Sequence, residues 1–199
     1  MSDLFCAATL VLARHGDAEY VEEWFSDEGG SLSPEGREQS VALADALAAR
    51  RVARVFASDT SRAVQTAEIV AGRLGLSGGR AVTAQKSLRE IAIGDLLGGP
   101  FDLDALHAVT DRWFAGDLHA RFPGGESGTE VVARLEEALR AIADEHRGET
   151  VLVVAHEMAT AVTLQTLTGQ RVLLDNGQHL DLLADADGWR LLPSSPPPR

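Results

Sequence analysis

Two imidazoles and two guanidiniums follow apolar runs in this chain, and such groups together suit chemistry on an anion. Arg14-His15-Gly16 ends the run Thr9-Leu10-Val11-Leu12-Ala13, Arg62 follows Ser58-Asp59 after the run 52–57, and His156 follows the run 151–155. An arginine fork donates two parallel hydrogen bonds and keeps its charge, which fits the oxygens of a phosphoryl group. Neutral imidazole is a competent covalent nucleophile, and neighbouring cations favour the neutral form by lowering its pKa. Backbone N–H groups at Gly16 and at the start of a helix after His156 would add donors. The leaving oxygen also requires a proton, and Glu90, after Leu88-Arg89, is the candidate donor. Singly, each residue has a structural explanation: His15 and His156 as buried structural histidines, Arg62 as a surface helix residue, Glu90 as a solvated acid. Only the set points to phosphoryl chemistry.

The order of elements says how these residues meet. The runs 10–13 and 151–155 read as strands buried on both faces, and 52–57 as another strand. Ser33-Pro34-Glu35 opens a helix with a cap, a first-turn proline and a first-turn acid. Ser58 or Asp59 caps a second helix that ends near Gly75, and Ser127 or Thr129 opens one running to about His146. Val82 suits a short strand, and Asn176-Gly177 is a turn signal before a terminal strand pair around Asp187-Gly188. Strands alternating with helices predict an α/β fold, a mainly parallel sheet with helices on both faces in a three-layer sandwich. Ligands in such sheets bind beyond the C-terminal strand ends. Arg14-His15, Ser58-Asp59 with Arg62, and His156 are therefore expected at one edge. The weakly periodic, glycine-rich region 87–125, with Trp113-Phe114, is expected as a lid-like excursion from a single domain of residues 1–192. The Ser- and Pro-rich tail 193–199 is expected to be disordered.

Bulk properties narrow the classes. A chain of 199 residues, 45% hydrophobic and 24% charged, fits one soluble globular domain. No stretch approaches the ~20 apolar residues of a membrane-spanning helix. No signal peptide is recognised at the Met-Ser-Asp start, and a single cysteine, Cys6, fits a reducing compartment; a cytoplasmic location is expected. Net charge is −12, with 18 Lys and Arg against 30 Asp and Glu and no basic stripe, so neither nucleic acid nor a membrane is expected as a partner. A phosphate site in so acidic a chain must be locally positive, which calls for a converging pocket rather than long-range attraction. His107, His119 and His179 do not make a metal-ligand spacing. Homo-oligomerisation is compatible with the sequence.

The strings Leu12-Ala13-Arg14-His15-Gly16, Ser58-Asp59-Thr60-Ser61-Arg62-Ala63-Val64-Gln65-Thr66, Leu88-Arg89-Glu90-Ile91, Pro123-Gly124-Gly125-Glu126-Ser127 and Val153-Val154-Ala155-His156 run in order through the chain. In these it resembles the histidine phosphatase superfamily, which includes the cofactor-dependent phosphoglycerate mutases, and more closely its phosphatase branch. The resemblance implies a phosphoglycerate mutase-like fold, with His15 as phosphate acceptor, Arg14, Arg62 and His156 as the phosphate pocket, and Glu90 as proton donor. Asp95 is an alternative donor. The resemblance also implies chemistry without metal or cofactor on a small phosphorylated metabolite. The chain departs from the family pattern at Asp17, Ala18 and Val21, and at Leu96-Leu97-Gly98 after Glu90. Glu157, where the family commonly has a small or neutral residue, is expected to turn away from the phosphate or to bind an arginine; it is counted with Gly16 among residues at the substrate. The leading reading is a phosphomonoesterase. The alternatives are a phosphoglycerate mutase, a phosphoprotein (phosphohistidine) phosphatase, and a non-catalytic phospho-ligand binder. Only Arg112 and Arg121 are basic between Ile91 and Gly125, against five aspartates, and that balance disfavours the mutase.

Overall fold

The computed structural model describes residues 6–19, 24–26, 30–78, 81–185 and 188–193. Val21, Asp187 and the tail beyond Pro193 lie outside the described residues. In chain order the elements are β1 (Ala8–Arg14), α1 (Pro34–Leu47), β2 (Val52–Ser58), α2 (Ser61–Arg73), β3 (Val82–Gln85), α3 (Leu103–Phe114), α4 (Gly128–Glu145), β4 (Thr150–Ala155), α5 (Glu157–Thr168), β5 (His179–Asp185) and β6 (Gly188–Leu191). Two short 3-10 turns, Lys86–Leu88 and Gly94–Leu96, lie between β3 and α3.

The strands form one six-stranded sheet in the order β3-β2-β4-β1-β5-β6. β3, β2, β4 and β1 run parallel, and the pair β5 and β6 adds an antiparallel edge. Apolar side chains alternate between the two faces, as the pleat requires. Val11, Ala13, Val55, Leu152 and Val154 pack against Leu43, Ala44 and Leu47 of α1 and Ala67 and Val70 of α2. Leu10, Leu12, Phe56, Val151 and Val153 pack on the other side against α4, Trp113 of α3, and Ala159 and Val162 of α5. The α/β sandwich with helices on both faces is thus observed. No helix among the described residues is long and apolar enough to cross a membrane.

This topology places the site. β1 and β4 are parallel neighbours, with Arg14 registered opposite Ala155. The chain leaves β1 toward the face of α1 and leaves β4 toward the opposite face, where α5 lies. Such a divergence opens a crevice between the two strand ends, the switch point at which open α/β sheets bind ligands. His15 and His156 are the first residues beyond those ends.

The region 87–125 holds more regular structure than its sequence pattern predicts. Asp102 caps α3, its side chain accepting from the Ala105 N–H, and α3 buries Thr110 and Trp113. Trp113 is 1% exposed and Phe122 fully buried; their rings meet edge to face at 5.5 Å, and the Trp113 indole N–H donates to the Ala120 carbonyl at 2.8 Å. Phe25, Trp113 and Phe122 are buried and Phe114 half-buried, whereas Trp24 is 52% exposed.

Candidate active site

His15 is held from three sides. Its backbone carbonyl accepts from the Asn176 Nδ2 at 3.0 Å and from the Gly177 N–H at 3.3 Å. Its own N–H donates to the Ala155 carbonyl, the last residue of β4, at 3.2 Å. The next residue must come very close to α1: a Cβ on Gly16 would lie 2.3 Å from the Gly36 carbonyl oxygen. Only glycine allows that approach. The Gly16 N–H, expected as a phosphate donor, instead donates to Thr66 Oγ1 at 3.0 Å, and Thr66 donates back to the Arg62 carbonyl. Gly16 therefore ties the His15 loop to α2 and has no N–H left for a ligand.

The ring of His15 is 3% exposed, and its two nitrogens have distinct partners. Nδ1 lies 2.7 Å from the Gly16 carbonyl, which can only accept, so Nδ1 carries the proton. Nε2 then presents a lone pair, and Arg62 Nε donates to it at 3.0 Å. Arg62 Nη2 donates to His156 Nδ1 at 3.3 Å. One guanidinium thus bridges the lone pairs of two buried imidazoles, whose ring centroids are 5.1 Å apart. His156 Nε2 faces Thr60 Oγ1 at 3.5 Å.

Electrostatics keep both rings neutral. Burial, aided by the charges of Arg62 and Arg14, lowers the His15 pKa from 6.5 to about 3, against the opposing pull of its bond to the Gly16 carbonyl. Burial also pushes His156 well below the ordinary histidine value, helped by His15, Arg62, Arg134 and Arg14. A neutral imidazole is the state a nucleophile needs; at rest its lone pair accepts from the Arg62 Nε–H.

The cap of α2 is neither Ser58 nor Asp59. Ser58 is the last residue of β2, and Asp59 accepts two bonds from Arg89 at 2.5 and 3.1 Å. The N-cap is Thr60, whose side chain makes no cap bond and turns to His156.

Arg14 and Glu90 stand at the margins of this cluster. Arg14 is ion-paired with Glu157, the first residue of α5, and donates to the Leu174 carbonyl at 3.0 Å. Glu157 thus binds an arginine, one of the two outcomes expected. Glu90 caps the start of α5: Oε2 accepts from the Met158 N–H at 3.0 Å and Oε1 from the Ala159 N–H at 2.7 Å. Two of the helix donors expected for phosphate, the Met158 and Ala159 N–H groups, are therefore occupied by the Glu90 carboxylate. Asp95 lies elsewhere, over the turn at Gly124, where an added Cβ would meet its Oδ1 at 2.3 Å.

Two residues that carry the geometry were not singled out by sequence. Arg134 of α4 donates to the backbone carbonyls of Ser87 at 2.8 Å, Arg89 at 3.0 Å and Glu90 at 3.4 Å. Glu126 accepts two bonds from Arg134, at 2.8 and 3.0 Å, and one from the Ala92 N–H at 2.8 Å. Together they brace the backbone on both sides of Glu90. Their partners lie far away in sequence, so no local spacing announces them.

The family model described as histidine phosphatase superfamily (branch 1) matches residues 10–191. The chain is 30% identical over 164 residues to a protein named "Probable phosphoglycerate mutase GpmB" from Erwinia tasmaniensis, covering 79% of this chain and 74% of that one. The native structure of a mycobacterial glucosyl-3-phosphoglycerate phosphatase is similar at 27% identity and a TM-score of 0.75, covering 93% of this chain and 97% of that one. The complex of that phosphatase with inorganic phosphate matches at 26% identity and a TM-score of 0.67, covering 92% and 94%. The family is thereby shown: this chain belongs to the histidine phosphatase superfamily, branch 1, and is phosphoglycerate mutase-like.

Proposed function

We propose that this protein is a metal-independent phosphatase that hydrolyses a small phosphomonoester through a phosphohistidine at His15. The observation that carries the reading is the bridge of Arg62 between the lone pairs of His15 and His156. It supplies a nucleophile, a cation beside it and a second imidazole at one strand edge. In the first step the entering phosphoryl oxygens draw the Arg62 fork off Nε2 of His15, whose freed lone pair attacks phosphorus; an N–P bond forms and the ester P–O bond breaks. Glu90, whose carboxylate accepts from the Ile91, Met158 and Ala159 N–H groups at rest, takes up a proton as the dianionic ester enters and gives it to the leaving oxygen. The charge on the transferring group is held by Arg14, Arg62 and His156, and such preorganised charge is the largest catalytic contribution, about 3–4 kcal/mol per donor. In the second step Glu90 takes a proton from water, which attacks the phosphohistidine and releases inorganic phosphate. Gly16 and Glu157 serve this pocket indirectly, through Thr66 and Arg14.

Support for hydrolysis over mutase chemistry comes from the arginines beyond Glu90. A mutase must hold a doubly phosphorylated intermediate, which calls for extra free cations. Arg112 instead pairs with Asp117, and Arg121 with Glu130 and the Gly125 carbonyl. The relatives include a phosphatase that, by its name, acts on glucosyl-3-phosphoglycerate, and a structure of it holds inorganic phosphate. The test is phosphate release from p-nitrophenyl phosphate, a sugar phosphate and 3-phosphoglycerate, with chelator present, by wild type and His15→Ala. Chelator-resistant release that disappears in His15→Ala is expected. Isomerisation of 3-phosphoglycerate without phosphate release would favour the mutase instead.

A further inference from the structure

We propose that Glu157 sets the affinity of the pocket for phosphate by competing with the phosphoryl group for Arg14. The inference rests on the reading of this pocket as a phosphoryl site. Arg14 and Glu157 are ion-paired with side chains only 23% and 32% exposed, so water and salt screen the contact less than a surface pair. Arg14 Nη1 is further engaged by the Leu174 carbonyl, whereas Arg14 Nε is buried with no hydrogen-bond partner among the described residues. A buried donor left unpaired carries a desolvation cost that an arriving anion relieves. Arg14 is thus tied to a carboxylate through one nitrogen and has an unfilled donor at another.

Glu157 is favoured by more than its pairing with Arg14. It is the first residue of α5, and the positive end of the helix dipole favours a negative charge there. A phosphoryl group entering beside His156 must share the Arg14 fork with this carboxylate or displace it. Substrate and product phosphate present the same group, so both bind more weakly. Weak product binding favours turnover where release of inorganic phosphate limits the rate. Glu157 is therefore an affinity-determining residue that acts through Arg14 and need not touch the reacting atoms.

The test is a four-protein titration with inorganic phosphate, by calorimetry or, for weak binding, phosphorus NMR. The proteins are wild type, Glu157→Gln, Arg14→Met and the double variant, with thermal melts to establish that each is folded. Glu157→Gln is expected to tighten phosphate binding about tenfold, equivalent to about 1.4 kcal/mol, and to lower KM for p-nitrophenyl phosphate in parallel. In the Arg14→Met background the same change is expected to alter binding less than twofold. Unchanged or weaker binding in Glu157→Gln overturns the inference, and so does equal tightening with Arg14 absent, which would mean direct repulsion. Absence of phosphate binding in all four folded proteins overturns the phosphoryl-site reading itself.

Discussion

Acidifying the protein from pH 7 to pH 5 is expected to remove about 2 kcal/mol of stability through His15 alone. Folding buries His15 and lowers its pKa from 6.5 to about 3. Between those values the unfolded chain binds a proton that the native protein does not. Stability from this group is complete above pH 6.5 and is lost as pH falls toward 3. Over the interval from pH 7 to pH 5 the linkage for His15 amounts to about 2 kcal/mol. His156 is shifted in the same direction and adds in the same sense. Partly exposed His179 adds in the same sense. The carboxylates with lowered pKa, Asp45, Asp117, Glu130 and Glu136, lose their contributions only below their ordinary values near 4, outside this window. The assay is urea unfolding at pH 7, 6 and 5 in phosphate-free buffer, because bound phosphate would itself stabilise the fold. His15→Gln cannot titrate, and its loss between pH 7 and pH 5 should be about 2 kcal/mol smaller than that of wild type. Equal losses in the two proteins would refute the claim that the native site holds His15 neutral.

Three further outcomes are expected. Arg62→Met should lower kcat/KM for p-nitrophenyl phosphate by about 3–4 kcal/mol, some several hundredfold, and Arg62→Lys should recover only part of it, because a point charge cannot span both imidazoles; full activity in Arg62→Lys would contradict the bridging geometry. Gly16→Ala should destabilise the protein by about 3 kcal/mol in urea unfolding, since its Cβ would sit 2.3 Å from the rigid Gly36 carbonyl oxygen; wild-type stability would be inconsistent with so close an approach. Glu90→Gln should lower kcat/KM for glycerol phosphate, which reports the first step only, at least ~100-fold while lowering kcat/KM for p-nitrophenyl phosphate far less, because nitrophenolate departs without a proton; equal losses of kcat/KM on both esters would remove Glu90 from the role of acid.

The sequence is most informative where local rules decide structure. The strands β1 and β4 follow from unbroken apolar runs, α1 from Ser33-Pro34-Glu35, and α4 from Ser127, which forms a capping box with Glu130. With those elements placed, the convergence of His15, Arg62 and His156 follows from topology. Local rules mislead where a residue has a second duty. Thr60 caps α2 in position but not in hydrogen bonding, because its hydroxyl turns to His156. They also mislead at α3, where the capping Asp102 and the spacing of Leu106, Thr110 and Trp113 were present but lay beside an exposed Leu103 and a glycine-rich approach. The bracing of Glu90 by Arg134 and Glu126 is beyond any local reading. Those contacts exist only once α4 has packed against the segment that follows β3.

The most direct measurement is to trap the covalent state. Wild type and His15→Ala, mixed with phosphorus-32-labelled glycerol phosphate and with labelled 3-phosphoglycerate, are quenched within milliseconds in alkali and digested for mass spectrometry. A phosphoryl group that survives alkali, is lost in mild acid, maps to His15 and is absent from His15→Ala is the result predicted. Turnover of either ester with no phosphoryl group on the protein, or with one on another residue, would contradict the account.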